Sequence, residues 1–306
     1  MPTATPRNEA GPFDGLLIID KPSGPTSSDV VQTVKRLLRA GKVGHTGTLD
    51  PLATGVLPLC LGKATRLSQY LLDADKGYRA TLVLGARTDT GDAEGRVIEE
   101  RPVPPLTAER VDAALVSLTG EQLQRPPMYS AVKVGGERLY ERARRGESVE
   151  RSARPIRIDR LTLLELAPPR LVVDVLCSKG TYVRVLGEAI GERLGTVAHL
   201  AGLRRTRSGA FAETEALGLA ELEAAQDPRE LALQRLLPAE RALGHLRRID
   251  LDAREAEGVR HGRAPSRPEG LAAGLLALHD PAGKLVAVGK ADGVGRIGLE
   301  RVLTGI

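Results

Sequence analysis

Short apolar segments with the alternation of β-strands recur along this chain, and they restrict it to a fold built around a sheet. Residues 15–20 form an apolar run that ends at a Lys-Pro pair, which indicates a buried strand entering a turn. Residues 78–85 alternate between apolar and polar side chains, and residues 156–166 and 171–177 are two further strand candidates. Because aromatic residues make up only 2% of the 306 residues, the core of such a sheet must consist of aliphatic side chains.

Amphipathic helices are predicted between these strands. Ser27 and Ser28 can cap a helix that carries Val and Leu at helical spacing, and Thr107 can cap another helix that ends at Gly120. Further helices are expected at about 64–73, 182–194, 218–225 and 228–236. This mixture of elements predicts an α+β fold, with a mixed, mainly antiparallel central sheet flanked by helices.

The sequence changes in character after about residue 245. Short runs of alternating apolar and polar residues follow one another there, and the DPAG segment at residues 280–283 is typical of a hairpin turn. The polar residues 1–12, rich in Pro and Ala, are expected to be disordered. We therefore predict a disordered tail at 1–12, a large domain over 13–240 and a small β-rich module over 245–306.

Composition restricts the classes of protein to consider. A net charge of +5 is a weak indication of a polyanionic partner. Cys60 and Cys177 lie far apart without a neighbouring cysteine, so neither a disulfide framework nor a zinc site is expected. Residues 1–15 contain no apolar core of signal-peptide length, and no run approaches the roughly twenty apolar residues that cross a bilayer. We expect a cytoplasmic protein that has no contact with a membrane.

The segment GHTGTLDPLATG, residues 44–55, places a single carboxylate, Asp50, in a glycine-rich loop. Gly47 and Gly55 permit a tight backbone, and Pro51 fixes the exit from Asp50. Such a loop can hold one side chain rigidly while a bulky substrate approaches, although an ordinary turn is the commoner explanation of these residues. It is not a phosphate-binding loop, because the following GVLPLCLGKA has six residues between its glycines and the nucleotide-binding signature has four.

Several segments of the chain together resemble one family. GHTGTLDPLATGVLPLCLGKAT is similar to the signature of the TruB family of tRNA pseudouridine synthases, and four further segments agree with that family in order and spacing. They are GLLIIDKPSGPTSSD (15–29), DKGYRATLVLGARTDTGDAEG (75–95), RPPMYSAVKVGGERLYERARRG (125–146) and CSKGTYVRVLGEAIGERLGTVAHLAGLRRTRSG (177–209). The resemblance spans most of residues 13–210. It implies a pseudouridine synthase-like catalytic domain and, with less specific motifs, a PUA-like RNA-binding domain at the C-terminal end.

The resemblance implies three catalytic residues. Asp50 corresponds to the family's essential aspartate and would be the nucleophile that converts uridine to pseudouridine. Tyr78 corresponds to a tyrosine that stacks on the target uracil, and Arg184 to a basic residue that pairs with the aspartate and keeps it ionised. The sequence leaves three chemical routes open: attack at C1′ of the ribose, addition to the uracil ring, and elimination through a glycal.

Five further residues correspond to positions around this site. The resemblance implies that His45 wedges into the RNA loop when the target base flips out. Tyr182 and Leu203 match positions that line the nucleotide pocket, and Lys21 and Pro22 match a turn that supports the catalytic loop. On the residues alone, ordinary packing also explains Tyr182 and Leu203, and a hydrogen bond to backbone also explains His45. A metal role for His45 is disfavoured, because no second His or Cys lies at ligand spacing.

Arginines indicate how RNA would be held. Residues 135–160 carry eight arginines against five acidic residues, and residues 203–209 add Arg204, Arg205 and Arg207. In the family an insertion that corresponds here to about 124–152 grips the T-loop of tRNA. Phosphate contacts of this kind supply affinity rather than sequence choice. A solvated surface with salt bridges is the alternative explanation of these arginines.

The leading hypothesis is an enzyme that makes pseudouridine at position 55, in the T-loop of tRNA. The resemblance implies tRNA as the partner, no cofactor, no metal, no obligatory protein partner and a monomeric state. Two alternatives remain open: a tRNA-binding folding chaperone that does not catalyse the reaction, and a synthase that acts on a different RNA uridine.

Overall fold

The computed structural model describes residues 13–130, 132–265 and 271–303, so the predicted disordered tail at 1–12 lies outside the described residues. The strands are β1 (Gly15–Lys21), β2 (Val43–His45), β3 (Thr54–Leu61), β4 (Lys76–Leu84), β5 (Ala86–Thr88), β6 (Val97–Glu100), β7 (Gly120–Gln124), β8 (Lys133–Val134), β9 (Glu137–Arg138), β10 (Arg154–Ala167), β11 (Arg170–Cys177), β12 (Ala198–Ser208), β13 (Phe211–Ala212), β14 (Leu217–Gly218), β15 (Arg247–Asp250), β16 (Gly274–His279), β17 (Leu285–Ala291) and β18 (Ile297–Val302).

Helices connect many of these strands. The α-helices are α1 (Ser27–Leu38), α2 (Ser68–Leu72), α3 (Ala108–Val116), α4 (Leu139–Arg144), α5 (Val183–Arg193), α6 (Leu219–Ala224), α7 (Pro228–Gln234) and α8 (Ala253–Arg260). Short 3-10 helices span Gly62–Leu67, Glu213–Glu215 and Ala239–Leu243. Among the described residues, no helix combines the length and the apolar character needed to cross a membrane.

A ten-stranded sheet forms the centre of the molecule. Its strand order is β14-β1-β3-β12-β4-β11-β10-β7, with β2 paired to β3 and β13 paired to β12. The pairs β14–β1 and β3–β12 are parallel, and the other pairs in this sheet are antiparallel. The prediction of a mixed, mainly antiparallel sheet with helices around it is therefore confirmed.

Strand β1 is apolar at successive positions because it is buried on both faces. Leu17 and Ile19 belong to the large core that also contains the apolar side of α1. Leu16 and Ile18 point the other way, since side chains alternate along a strand, and they join a second core. All four side chains are at most 2% exposed.

Two helix starts were predicted from capping residues, and one of the two predictions needs correction. Thr107 caps α3, because its side chain accepts a hydrogen bond from the N–H of Arg110. Helix α1 is capped by Thr26, which forms a reciprocal capping box with Asp29, rather than by the expected Ser27 or Ser28.

Strand β12 was not predicted, although it lies between β3 and β4 in the middle of the sheet. Its sequence, AHLAGLRRTRS, combines glycine with three arginines, so it lacks the apolar alternation of an ordinary central strand. Register shifts between Leu200 and Gly202 and between Arg205 and Arg207 also interrupt the alternation. The stretch between the two shifts carries Leu203 and Arg205, which line the candidate site.

The C-terminal residues form a separate four-stranded sheet with the order β15-β16-β17-β18, as expected for a small β-rich module. Its hairpin turn has the predicted position, since the N–H of Gly283 donates to the carbonyl of Asp280 at 2.8 Å. Helix α8 packs against this sheet and was not predicted. Leu285 and Val288 lie in the same buried cluster as Leu16, so the small sheet shares a core with the central sheet. The exact division of the chain into domains stays a prediction.

Gly55 is required where β3 begins, and replacing it should destabilise the protein. Its φ is +100°, and a Cβ atom there would lie 2.2 Å from the carbonyl oxygen of Arg205 on the neighbouring strand. We expect Gly55→Ala to lower the free energy of unfolding by about 3 kcal/mol or more, because strain and overlap with backbone add together. Urea denaturation measures the change. Gly41→Ala is the matched control, since its Cβ would contact nothing within 4 Å; equal stability of the two variants would contradict this prediction.

Candidate active site

The loop that carries Asp50 connects β2 to β3 and is fixed by hydrogen bonds from neighbouring segments. The N–H of Leu49 donates to Oγ of Ser27 at 2.8 Å, and the same hydroxyl donates to the Leu49 carbonyl at 3.2 Å. The N–H of Ala53 donates to the Asp50 carbonyl at 3.0 Å and closes a turn. Ser27, which the sequence predicts as a helix cap, therefore supports the loop that carries Asp50.

Lys21 lies directly behind this loop and is fully buried. Its Nζ donates to the carbonyls of Pro22 at 2.9 Å, Pro51 at 3.1 Å and Ala53 at 2.7 Å. Burial lowers the pKa of Lys21 to about 8, and the negative charge of Asp50 opposes that shift. The ammonium group thus links the end of β1 to Pro51 and Ala53, one and three residues after Asp50, whereas Pro22 is exposed.

Arg184, near the start of α5, joins two carboxylates. Its Nη2 lies 3.2 Å from Oδ2 of Asp50, and its Nη1 lies 3.5 Å from Oδ2 of Asp92. The guanidinium also donates to the carbonyls of Thr90 at 2.9 Å and Tyr129 at 2.6 Å. Because the side chains of Arg184 and Asp92 are each only 6% exposed, their ion pair is buried, while Asp50 is 39% exposed and faces open space.

Neighbouring groups shift the pKa of Asp50 in opposite directions. Desolvation raises the pKa of its carboxyl above the ordinary 3.8, and the neighbouring charge of Asp92 raises it further. The positive charges of Arg184 and Lys21 oppose the rise. A carboxylate in such a place is poorly solvated but accessible, which suits a group that has to react.

The predicted site residues meet at one cavity of about 290 Å³, which we call the tyrosine pocket. Its lining includes Asp50, Tyr78, Tyr182, Arg184 and Leu203. These residues come from four separate parts of the chain: the β2–β3 loop, β4, the start of α5 and β12. The structure therefore brings together five of the eight residues that the sequence predicts for the site.

Tyr78 is almost fully buried and is oriented by Arg205 on the neighbouring strand. The two side chains share a hydrogen bond. Burial raises the pKa of Tyr78, and the charge of Arg205 opposes the rise. The phenol therefore stays protonated. Its hydroxyl group is bound to Arg205, and its ring lines the tyrosine pocket.

The prediction that Arg205 contacts RNA phosphates is wrong, because its side chain is 1% exposed. Its Nε donates to the carbonyl of Val56 at 2.7 Å and its Nη2 to the carbonyl of Gly47 at 3.2 Å, so it supports both ends of the loop that carries Asp50. Arg204 forms ion pairs with Asp20 at 2.8 Å and Glu213 at 2.6 Å.

His45 lies at a neighbouring cavity of about 580 Å³, the histidine pocket. Asp50 and Arg184 are among the residues that line both pockets, so the two pockets adjoin. Burial lowers the pKa of His45, and the nearby charge of Arg205 adds to the effect, so its ring is held neutral. Its buried Nδ1 has no hydrogen-bond partner among the described residues.

Part of the insertion at 124–152 carries internal ion pairs. Arg145 lies 2.5 Å from Glu137 and 2.8 Å from Glu147, and Arg142 lies 2.8 Å from Glu147. Arg154 is exposed next to this segment. The arginines of the insertion are thus partly neutralised within the chain, and the net charge that they offer to RNA is smaller than their number indicates.

Two site residues were not identified from the sequence. Asp92 shares Arg184 with Asp50, but in the sequence it stands out only as one residue of the family-like segment at 75–95. Arg205 was assigned to the surface because strand β12 itself was missed. Two signals could have identified them. Asp92 is an acidic residue inside a motif that resembles the family, and Arg205 is an arginine in the middle of a strand. Among the described residues, no group of three or more His, Cys, Asp or Glu side chains is arranged to hold a metal ion.

Family models match most of the chain. A model described as the TruB family pseudouridylate synthase N-terminal domain matches residues 35–183, and one described as the tRNA pseudouridylate synthase B C-terminal domain matches residues 184–244. The tRNA pseudouridine synthase B of Aromatoleum aromaticum is 49% identical over 298 residues, which cover 97% of this chain and 95% of that protein. The protein of the same name from Pseudomonas aeruginosa is 46% identical over 293 residues, which cover 95% and 96%.

Solved structures share the fold. A chain in the crystal structure of a Cbf5–Nop10–Gar1 complex has a TM-score of 0.75 and 30% identity, over 95% of this chain and 85% of that chain. A chain in the structure of an H/ACA RNP bound to a substrate RNA containing 2′-deoxyuridine has a TM-score of 0.73 and 28% identity, with the same coverage. With relatives at this level of identity over almost the whole chain, the protein belongs to the TruB family of pseudouridylate synthases.

Proposed function

We propose that the protein isomerises uridine to pseudouridine at position 55, in the T-loop of tRNA, with Asp50 as the nucleophile. The observation that carries the proposal is the position of Asp50, an accessible carboxylate paired with buried Arg184 at 3.2 Å beside the ring of Tyr78. The relatives in Aromatoleum aromaticum and Pseudomonas aeruginosa, named tRNA pseudouridine synthase B, support tRNA as the substrate.

The residues of the tyrosine pocket suit an isomerisation that uses no external reagent. The bond between C1′ and N1 breaks, the uracil turns, and a bond between C1′ and C5 forms; the ring loses the proton on C5 and gains one at N1. In the two covalent routes Asp50 attacks as the nucleophile and is released when the new bond has formed, whereas in the elimination route it acts as a base at the ribose. Arg184 keeps the carboxylate ionised and oriented, while Tyr78 offers a ring on which the uracil stacks. Attack at C1′, addition to the ring and elimination through a glycal all remain compatible with these contacts.

The target base reaches the tyrosine pocket only after it has left the stack of the RNA. Tyr182 and Leu203 line the walls around the flipped nucleotide. In this proposal the neutral ring of His45, at the adjacent histidine pocket, occupies the space that the base left.

The insertion at 124–152 is proposed to hold the T-loop, because Tyr129, Ser130 and Tyr140 from this segment line the histidine pocket. The PUA-like module over 245–306 is proposed to contact RNA further from the site. We propose that the protein works as a monomer in the cytoplasm and needs no cofactor and no protein partner, since the substrate RNA itself covers the site.

The direct test treats an unmodified tRNA transcript with the protein and maps pseudouridine chemically along the RNA. We expect one modified position, in the T-loop, and no product from a transcript in which that uridine is replaced by cytidine. Product at a different uridine would favour the alternative of another target. Tight tRNA binding and faster tRNA folding without any product would favour the chaperone alternative.

The pH dependence of the rate should reveal the raised pKa of Asp50. The reaction needs the ionised carboxylate, so the single-turnover rate should fall as the pH falls, with a midpoint above the ordinary value of 3.8. Circular dichroism at each pH checks that the protein stays folded. A rate that stays constant down to pH 3.8 would contradict the role of burial at Asp50.

Binding of tRNA should weaken with salt, because phosphate contacts release counterions. We expect the affinity to fall at least about tenfold between about 50 and about 200 mM salt, as measured by filter binding. An uncharged osmolyte at equal osmolality serves as the control. A flat salt response would show that charges of the insertion and the C-terminal module do not hold the RNA.

A further inference from the structure

Gln124 forms two hydrogen bonds with the backbone of Tyr182. The N–H of Tyr182 donates to Oε1 of Gln124 at 2.7 Å, and Nε2 of Gln124 donates to the carbonyl of Tyr182 at 3.1 Å. Gln124 is buried, with 7% of its surface exposed. Its amide therefore binds this single residue as a neighbouring strand would bind it, with one donor and one acceptor.

This contact holds the residue at which helix α5 begins. Tyr182 is the N-cap residue of α5, and its own side chain makes no capping hydrogen bond. The first residues of a helix have free N–H groups, and a helix that lacks a capping side chain is less well fixed at that end. Arg184 is the second residue of this helix, so a displacement of Tyr182 also displaces Arg184, two residues later.

Gln124 also stands at the base of the insertion. It is the last residue of β7 and pairs with Arg154, the first residue of β10, so these two residues close the two ends of the insertion. A second contact links the insertion to the same helix, since Nη2 of Arg184 donates to the carbonyl of Tyr129 at 2.6 Å. The segment proposed to hold RNA thus contacts the start of α5 at two residues, Tyr182 and Arg184.

We infer that Gln124 is a positioning residue for the reaction, which fixes Tyr182 and Arg184 relative to the base of the RNA-holding insertion. This inference rests on the proposed function, because it assigns Gln124 to the alignment of Asp50 and Arg184 around a flipped uridine. A displacement of about 1 Å in a catalytic group can lower a rate about 100-fold. The amide acts on geometry, and it contributes no group to the chemistry.

The test compares Gln124→Met and Gln124→Glu with the wild type in single-turnover reactions at saturating tRNA. Methionine has a similar length and makes neither hydrogen bond, so we expect a rate about 10- to 100-fold lower. Glutamate keeps the acceptor for the Tyr182 N–H and loses the donor, so its rate should lie between those of Gln124→Met and the wild type. The dissociation constant for tRNA should stay within about threefold of the wild-type value, because the loss falls on a step after binding.

Gln122→Met is the matched control. Gln122 lies two residues earlier on β7, and its Nε2 donates to the carbonyl of Leu118 at 2.7 Å, away from both pockets. Loss of that bond should lower the melting temperature and leave the rate unchanged. A rate for Gln124→Met within twofold of wild type, a loss confined to tRNA binding, or an equal loss of rate in Gln122→Met would each overturn the inference. Absence of T-loop product from the wild type would refute the proposed function instead, so the two failures are distinct.

Discussion

Replacement of Asp50 by asparagine is expected to abolish pseudouridine formation and to leave the fold intact. Asparagine has nearly the same shape, but its amide is a far weaker nucleophile than a carboxylate. Loss of a nucleophile typically lowers a rate by about four orders of magnitude or more, so we expect no product at the T-loop within the time of a normal assay. Chemical mapping on a tRNA transcript measures the product, and filter binding should show that tRNA still binds.

The stability of this variant provides a second, independent readout. The pKa of Asp50 is raised in the folded state, so between 3.8 and the folded value the folded protein binds more protons than the unfolded chain. Ionisation of Asp50 at neutral pH therefore costs stability, and that cost disappears in Asp50→Asn. We expect the melting temperature of the variant to equal or exceed that of the wild type.

A control for this substitution is Asp174→Asn, which removes a carboxylate that pairs with exposed Arg160 at 2.7 Å on the sheet surface. Exposed ion pairs contribute little to stability, so activity and melting temperature should both stay near the wild-type values. Measurable product from Asp50→Asn, or a marked loss of its stability, would contradict the roles proposed for Asp50 and for its surroundings.

The second large effect is expected at Arg184. Arg184→Met leaves Asp92 buried without its counter-charge, and breaking a buried ion pair in this way typically costs about 3 to 5 kcal/mol of folding free energy. It also removes the positive charge that opposes the raised pKa of Asp50. The single-turnover rate at neutral pH should therefore fall by about 100-fold or more, and the acid limb of the pH profile should move to higher pH.

Arg184→Lys tests whether the fork of the guanidinium matters as well as its charge. Lysine keeps the charge but cannot contact Asp50, Asp92 and two carbonyls together, so its stability and rate should lie between those of Arg184→Met and the wild type. Arg193→Met, in the exposed last turn of the same helix, is the control for loss of a basic residue from α5. A pH profile of Arg184→Met identical to that of the wild type would contradict the electrostatic role of Arg184.

Much of the fold could be predicted from local sequence patterns. The strands near 78–85, 156–166 and 171–177 and the helix that begins near Tyr182 were predicted within a few residues, because each has a clear apolar period and a recognisable end. The apolar run at residues 15–20 was predicted as a buried strand. It is continuous because the two faces of β1 contact two different cores.

Long-range contacts account for what the sequence could not reveal. Strand β12 has a pattern that local rules reject, and it is a strand because β3 and β4 pair with it on both sides. For the same reason Arg205 was placed on the surface, whereas its partners are carbonyls of a loop about 150 positions earlier in the chain. Asp92 and Gln124 become site residues only through Arg184 and Tyr182, which lie far from both along the chain.

The core shared by the two sheets has a consequence for how the molecule unfolds. Leu16 and Ile18 of the central sheet share a buried cluster with Leu285 and Val288 of the small sheet. Unfolding of either sheet would therefore expose apolar surface of the other. Strand β1 carries Leu16 and Ile18 and ends at Lys21, which donates hydrogen bonds to the loop that holds Asp50. The stability of the C-terminal residues is therefore linked to that loop. We therefore expect the chain to melt in one cooperative transition, so that substitutions far from the tyrosine pocket lower the amount of native protein rather than the rate of the reaction.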